Sequence, residues 1–145
     1  MIKIICIGKI KEKYLTDGIN DYLKRLTKYH KIELIELKYS DIKKEKEEIL
    51  KVLNKDSYII SLAIEGKEYK TIELSEKIDN LLTNGKSNIT FIIGGSDGID
   101  EEIKNISNEL LSFSKLTFPH GLFRLILLEQ IYRIFKIQNN ETYHK

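Results

Sequence analysis

The sequence predicts an α/β fold in which a mainly parallel sheet is flanked by helices. Five apolar runs with the pattern of strands alternate along the chain with longer stretches in which apolar residues recur at helical spacing. This alternation favours parallel strands, because each helix returns the chain to the edge where the next strand begins. A length of 145 residues with 41% hydrophobic content suits one domain that spans residues 1–145.

The N-terminal half is expected to form two strands and two helices. Residues 1–8 are rich in isoleucine, which predicts a buried first strand, and residues 31–38 alternate apolar with charged side chains, which predicts a less buried one. Between them, apolar residues recur at helical spacing over 12–30. Residues 41–54 form a strongly charged helix whose narrow apolar stripe predicts a place on the surface.

The C-terminal half is expected to supply three strands and three helices. The strands are predicted at 57–62, 89–93 and 112–117, and the helices at 71–83, 99–110 and 120–138. Residues 63–70 should form a loop, and Gly85 should cap the third helix. The last helix carries apolar residues around its whole cylinder. We expect it to be buried either between two copies of the chain in a homodimer or in the centre of the monomer.

Composition points to a soluble cytoplasmic protein. Cys6 stands alone inside an apolar strand, so a buried thiol is expected and no disulfide can form within the chain. The N-terminus lacks the pattern of a signal peptide, and no apolar stretch reaches the roughly 18 residues that a membrane span needs. The net charge is +2, with basic ends and an acidic middle, which gives weak support for binding a polyanion.

One stretch, FIIGGSDGID at residues 91–100, has the sequence of a binding loop. The strand pattern ends at Gly94 and Gly95, and Asp100 opens the acidic first turn of a helix. Paired glycines at the carboxyl end of a strand let a ligand approach the backbone, although a tight turn without a ligand would carry the same residues. Residues 111–121, LSFSKLTFPHG, add a second polar segment before the longest apolar run.

Several standard active sites are absent from the sequence. Gly85, Lys86 and Ser87 resemble the end of a phosphate-binding loop, but position 80 lacks the required glycine. The glycines after the fourth strand do not have the spacing of a dinucleotide motif, and no G-x-S-x-G motif exists. Three scattered histidines and one cysteine predict no zinc site.

The chain resembles the SPOUT-class methyltransferases that modify large-subunit ribosomal RNA at N3 of pseudouridine, the YbeA-like family. The resemblance covers nearly the whole chain and rests on five segments: IKIICIGKIKEKY at 2–14, YIISLAIEGKEY at 58–69, FIIGGSDGI at 91–99, LSFSKLTFPHGLFRLILLEQIYRIFKI at 111–137 and the terminal YHK. It implies a SPOUT-type α/β knot, in which the last part of the chain forms a deep C-terminal trefoil knot. It further implies a homodimer that acts on ribosomal RNA in the ribosome.

The resemblance also implies a cofactor, S-adenosyl-L-methionine, and the residues that hold it. The cofactor site should be formed by the loop after the third strand, the glycine loop and the knotted segment, here Leu62, Gly94, Phe113, Ser114, Lys115, Leu116, Thr117 and Phe118. Backbone groups of such turns can hydrogen-bond an adenine edge, and the apolar side chains can form its walls. The methyl group is already activated on a sulfonium, so no metal ion is expected.

Three further residues, Arg124, Tyr143 and His144, are candidates for catalysis. Arg124 stands among apolar residues and should face a carboxylate, a phosphate or a pocket of the dimer partner, unless it pairs with Glu129 or reaches solvent. The terminal residues could stack on a base or accept its proton, close the cofactor pocket, or fray. Many relatives end in His-Pro-Tyr-His, and the first His of that pattern has no counterpart here. An RNA-binding or ribosome-binding module without methyl transfer is the alternative function.

Overall fold

The computed structural model describes residues 1–145 and contains five strands and five helices. In chain order these are β1 (Ile2–Ile7), α1 (Lys13–Leu26), β2 (Ile32–Leu37), α2 (Ile42–Val52), β3 (Tyr58–Glu68), α3 (Thr71–Thr83), β4 (Ile89–Ile93), α4 (Glu101–Ile106), β5 (Glu109–Ser112) and α5 (His120–Gln138). The strict alternation of strands and helices confirms the α/β prediction.

The strands form one sheet in the order β2-β1-β4-β3-β5, and every neighbouring pair is parallel. All five carboxyl ends therefore lie at one edge of the sheet, where open α/β folds bind their ligands. We call this edge the carboxyl edge. The deep trefoil knot that the family resemblance implies stays a prediction.

Two helical layers cover the sheet. The larger hydrophobic cluster joins one face of the sheet to α1, α3 and α5, and the smaller one contains Ile49 and Leu53 at the end of α2 and Ile103 of α4. Cys6 lies in the larger cluster, where burial raises the pKa of its thiol to about 12. A thiol with so high a pKa is inert at neutral pH, as expected for a structural cysteine.

The third strand is longer than the sequence predicted, and the proposed loop at 63–70 is wrong. β3 continues to Glu68 because its second half pairs with the edge strand β5. The pairing register shifts between Leu62 and Lys67, so residues 63–66 leave the ladder as a bulge. At Gly66 a Cβ atom would lie 2.6 Å from the backbone of Leu110, so only glycine lets these two strands approach.

The predicted fourth helix and fifth strand are also displaced. α4 ends at Ile106 because the hydroxyl of Ser107 donates a hydrogen bond to the carbonyl of Ile103, and the N–H of Asn108 then donates to Ile59 of the sheet. The fifth strand is therefore 109–112, and the predicted strand 112–117 is a loop for most of its length. α1 likewise ends at Leu26 rather than at residue 30.

The last helix is mostly buried within the monomer. α5 packs between α1 and α3, and its side chains Leu127, Leu128, Ile131 and Ile134 lie in the core. Central burial thus explains most of its apolar surface. Leu122 and Ile126 remain partly exposed and belong to neither cluster. A homodimer stays a prediction, and this outer stripe is the part of α5 that is left for a dimer contact.

None of the helices combines the length and the apolar character that crossing a membrane requires.

Candidate functional site

A cavity of about 770 Å³ opens at the carboxyl edge, beside the bulge of β3 and the ends of β4 and β5. Its volume lies in the range of small-molecule sites, roughly 300–1,000 Å³. Three chain segments form most of its wall: residues 62–65, residues 93–99 and residues 111–120. The cavity therefore joins the two motifs that the sequence singled out, the glycine loop and the LSFSKLTFPHG segment.

The glycine loop turns sharply because it has no side chains at three positions. The N–H of Gly98 donates a 3.0 Å hydrogen bond to the carbonyl of Gly95, and Gly98 has a φ of +82°, a conformation that favours glycine. A Cβ atom on Gly94 would lie 2.5 Å from the Gly98 carbonyl oxygen. The turn itself therefore requires glycine at Gly94, whether or not a ligand contacts it.

The bulge of β3 forms a second wall. Ala63, Ile64 and Glu65 line the cavity because they have left the ladder with β5. The carboxylate of Glu65 accepts a 2.7 Å hydrogen bond from Lys104 of α4, which also lines the cavity. This bond lowers the pKa of Glu65 and raises the pKa of Lys104, so both groups are charged at neutral pH. The wall thus presents one anion and one cation to a ligand.

The loop between β5 and α5 offers unpaired backbone groups. Ser112 donates its hydroxyl hydrogen to the carbonyl of Ser114, and the hydroxyl oxygen of Ser114 accepts the N–H of Leu116 at 3.0 Å. Residues 115–118 make no other backbone hydrogen bond to the protein. Peptide groups are strong donors and acceptors, so those of this loop are available to a ligand in the cavity.

Aromatic and aliphatic side chains complete the cavity. The Phe113 and Phe123 rings stack at 5.2 Å, and Phe118 meets Phe123 edge-on at 6.0 Å. Leu116 is 69% exposed although it is a large apolar residue at the cavity wall. A ligand seated against Leu116 would remove this surface from water, which favours binding.

Seven of the eight predicted cofactor residues line this cavity, and only Lys115 does not. The structure adds Glu65, Lys104, His120 and Phe123. His120 and Phe123 are three residues apart on the first turn of α5, so their shared face could have been inferred from helical spacing. The Glu65–Lys104 pair joins two elements 39 positions apart and has no local signal in the sequence.

The buried cation Arg124 faces a carboxylate, one of the outcomes left open above. Its guanidinium donates to Glu36 at 2.6 Å and to the carbonyl of Gly8 at 3.0 Å. It lies outside the cavity lining, and Glu129 pairs with Arg133 instead. Arg124 therefore ties α5 to the ends of β1 and β2, and a part for it in catalysis stays a prediction.

The C-terminal residues are docked onto α5 rather than frayed. The Tyr143 ring meets Tyr132 edge-on at 5.1 Å and lies 4.7 Å from the guanidinium of Arg133. His144 Nδ1 lies 3.1 Å from a nitrogen of the same guanidinium. Neither terminal residue lines the cavity of its own chain. One chain thus holds the tail and the cavity apart, and the catalytic role of the tail stays a prediction.

The chain matches the family described as Predicted SPOUT methyltransferase over residues 1–144. A relative from Methanococcus maripaludis is 53% identical, with 99% of each chain covered. Two relatives called ribosomal RNA large subunit methyltransferase H, from Bacillus cytotoxicus and Bacillus thuringiensis, are 52% and 50% identical, again with 99% of each chain covered.

Solved structures share the fold at much lower identity. A probable methylase family protein from Haemophilus influenzae Rd KW20 superposes with a TM-score of 0.61 at 12% identity, covering 99% of this chain and 70% of that one. A tRNA (m1G37) methyltransferase from Aquifex aeolicus gives 0.55 at 13% identity, covering 91% and 69%. With the parallel sheet, the cavity at its carboxyl edge and the full-length family match in agreement, the chain belongs to the SPOUT methyltransferase family.

Proposed function

We propose that this protein transfers a methyl group from S-adenosylmethionine to N3 of a pseudouridine in large-subunit ribosomal RNA, in the cytoplasm and on the assembled ribosome. The observation that carries the proposal is the cavity at the carboxyl edge, whose loop presents unpaired peptide groups beside an exposed apolar side chain. Relatives at 50–52% identity, named as large-subunit ribosomal RNA methyltransferases, support the RNA substrate.

The residues of the cavity fit this cofactor. An adenine ring needs an apolar slot and main-chain partners for its edge, and Leu62, Leu116 and the backbone of 115–118 supply both. Lys115 contributes through its main chain in this scheme. The amino acid end of the cofactor carries one ammonium and one carboxylate, which suit the neighbouring charges of Glu65 and Lys104. The three glycines of the glycine loop carry no side chains and line the cavity beside Ser96 and Asp97.

Methyl transfer from a sulfonium needs an acceptor held in line with the methyl group and a route for the acceptor's proton. The cavity walls orient the donor side and exclude water. We assign the proton to Nδ1 of His144. Arg133 donates to this nitrogen at 3.1 Å, so the neutral ring carries its hydrogen on Nε2, and Nδ1 takes up the proton once the acceptor displaces the guanidinium. Tyr143 fixes this histidine by packing on Tyr132, and Arg124 acts as a positioning residue that holds the end of β1.

A homodimer would bring the tail of one chain to the cavity of the other. The outer stripe of α5 runs from Leu122, next to the cavity, through Ile126 and Glu129 to Arg133, next to the tail. If two copies pack antiparallel through this stripe about a twofold axis, each tail lies beside the other chain's cavity. This arrangement accounts for a tail and a cavity that are separate in one chain.

Calorimetric titration with S-adenosylmethionine and transfer of a labelled methyl group to large ribosomal subunits test the proposal. We expect binding of the cofactor and incorporation of the label at one pseudouridine. His144→Ala should abolish transfer and leave cofactor affinity unchanged, whereas Lys145→Ala, a matched change of the neighbouring exposed residue, should retain most activity. Ribosome binding without cofactor binding at millimolar ligand would instead identify a binding module without methyl transfer.

A further inference from the structure

Two tyrosines at the carboxyl edge are unusually exposed. Tyr14 is 71% exposed in the first turn of α1, and Tyr39, which follows β2, is 52% exposed. Exposed aromatic rings on a charged surface are common where proteins stack against unpaired bases. Tyr39 is also fixed in place, because its hydroxyl lies 3.2 Å from Ser96 Oγ and 3.5 Å from an Asp97 carboxylate oxygen. These contacts hold the edge of the ring and leave most of the side chain open to solvent.

Three exposed lysines accompany the tyrosines. Lys9 and Lys11 lie between β1 and α1, and Lys38 lies directly after β2. Since β1 and β2 are parallel and in register up to Ile7 and Leu37, the segments that follow them emerge side by side. None of the three lysines forms a salt bridge or a hydrogen bond with the protein, whereas the carboxylate of Glu36 is engaged by Arg124.

This surface lies beside the cavity, because β1 is the neighbour of β4 in the sheet and β2 is the neighbour of β1. Tyr39 contacts Ser96 and Asp97 of the glycine loop, and both of these residues line the cavity. Ile10 and Leu15, which bracket the other segment, lie closest to the position that a Cβ of Gly121 would occupy in the first turn of α5. The neighbouring His120 lines the cavity. An RNA strand that presents its target base at the cavity would therefore meet these five residues on the β1–β2 side.

We propose that Lys9, Lys11, Tyr14, Lys38 and Tyr39, here called the basic-aromatic rim, hold unpaired nucleotides that flank the target base. The inference rests on the proposed function, which requires an RNA acceptor. A base whose ring nitrogen is methylated must leave its stack, so its neighbours are partly unstacked and their faces are open to aromatic side chains. The tyrosines stack on these bases, and the lysines neutralise their phosphates. Glu12 and Asp97 mark the acidic margins of the rim.

The test for stacking uses Tyr14→Leu/Tyr39→Leu, which removes both rings and keeps apolar bulk. We expect affinity for large ribosomal subunits, measured without cofactor, to fall about tenfold or more, which is typical for the loss of base stacking. Affinity for S-adenosylmethionine should not change. Two single variants separate the ring from its hydroxyl. Tyr39→Phe keeps the ring and should bind subunits almost as well as the wild-type protein, whereas Tyr39→Leu should bind them more weakly. Unchanged subunit affinity in the double variant would overturn the proposal.

The test for phosphate contacts compares two triple variants of equal charge change. Lys9, Lys11 and Lys38 are replaced by glutamine in one, and Lys24, Lys28 and Lys31, exposed lysines around a groove at the opposite edge of the sheet, in the other. For a single-stranded RNA, the logarithm of the affinity falls linearly with the logarithm of the salt concentration. The rim variant should make this slope shallower by about two, because each lost phosphate contact removes about 0.7 from it. If both triple variants lost the same RNA affinity and salt dependence, the effect would be one of net charge alone, and the proposed role of the rim would be refuted.

The outcome separates this inference from the proposed function. If the wild-type protein fails to transfer methyl groups, the proposed function fails, yet the rim is still judged by subunit and RNA affinity. If the wild-type protein transfers methyl groups and the rim variants bind and react as it does, only the rim is refuted.

Discussion

Replacing Glu36 by leucine is expected to destabilise the protein more than replacing its partner Arg124 by methionine. The two side chains form one ion pair of 2.6 Å, but they differ in their access to water. The Arg124 side chain is 1% exposed, and that of Glu36 is 39% exposed. Arg124→Met leaves a carboxylate that water can solvate. Glu36→Leu leaves a guanidinium that is buried without its counter-charge.

The structure gives the size of the difference. Losing one partner of a buried ion pair costs about 3–5 kcal/mol when the remaining charge is uncompensated, and we expect Glu36→Leu near the lower limit because backbone carbonyls still accept from Arg124. Arg124→Met loses charge-assisted hydrogen bonds worth about 1.5–3 kcal/mol. It leaves no buried, unpaired charge, because water can solvate the carboxylate of Glu36. The double variant removes both charges, and an apolar replacement of a buried pair is often nearly neutral, so about 1–2 kcal/mol of loss is expected.

Urea denaturation of the four proteins measures the free energies of unfolding. All samples need the same protein concentration, because association would make the stability depend on it. A coupling energy of about 2.5–5 kcal/mol between the two sites is the expected result of the double-mutant cycle, since the double variant should lose much less than the two single variants together. Additive losses, or a larger loss for Arg124→Met than for Glu36→Leu, would refute the view that Arg124 is a buried cation held mainly by Glu36.

Three further predictions concern the loop, the dimer and the response to alkaline pH. Gly94→Ala should destabilise the protein by roughly 1–3 kcal/mol, even without ligand, because the added Cβ meets the turn's own backbone; thermal unfolding measures this. Leu122→Glu/Ile126→Glu should give folded monomers in sedimentation experiments, since both side chains are partly exposed within one chain. Burial is the main cause that raises the pKa of Tyr69 and of Tyr143 to about 12, so stability should fall as pH rises from 10 to 12.

Each of these predictions has a control. Gly85→Ala is the control for Gly94→Ala. Gly85 has a positive φ but open space around it, so the loss of stability in this variant measures backbone strain without a steric clash. Leu127→Glu/Ile131→Glu, which changes core residues of the same helix, should unfold the chain rather than dissociate it. For the pH prediction, the folded state favours the neutral phenol. The stability that the two tyrosines contribute is therefore fully present below pH 10 and is lost as the pH rises to 12. Replacing both tyrosines by phenylalanine should remove most of the fall in stability between pH 10 and 12. An unchanged fall would contradict its assignment to these two tyrosines.

The elements that the sequence predicted well are those with strong local periodicity. β1, β4 and α3 occur almost where their apolar patterns placed them, since a buried isoleucine run or an amphipathic stripe leaves few alternatives. The errors cluster at the β3–β5 edge. A short apolar run such as ELLS fits a helix end or a strand equally well, and the choice depended on the hydrogen bond from Asn108 to Ile59 across the sheet.

The candidate site likewise contains residues that local sequence patterns revealed and residues that they did not reveal. The glycine loop and the segment 111–120 were visible because glycine, serine and proline impose local backbone geometry. Glu65 and Lys104 were not visible, because their bond joins β3 to α4 and no local pattern encodes it. The sequence left open whether a dimer or the centre of the monomer buries α5, and the packing of α1 and α3 around it covers most of its surface.

By itself, the sequence determined the class of fold, the two loops that line the cavity and the family resemblance, since each is carried by residues close together along the chain. Only the tertiary structure decided that Arg124 meets Glu36, that the bulge of β3 forms a cavity wall, and that Tyr143 and His144 are docked away from the cavity of their own chain. These contacts join residues far apart in sequence. Their partners are chosen by burial and by the need to satisfy charges and peptide groups, and these conditions exist only once the chain has folded.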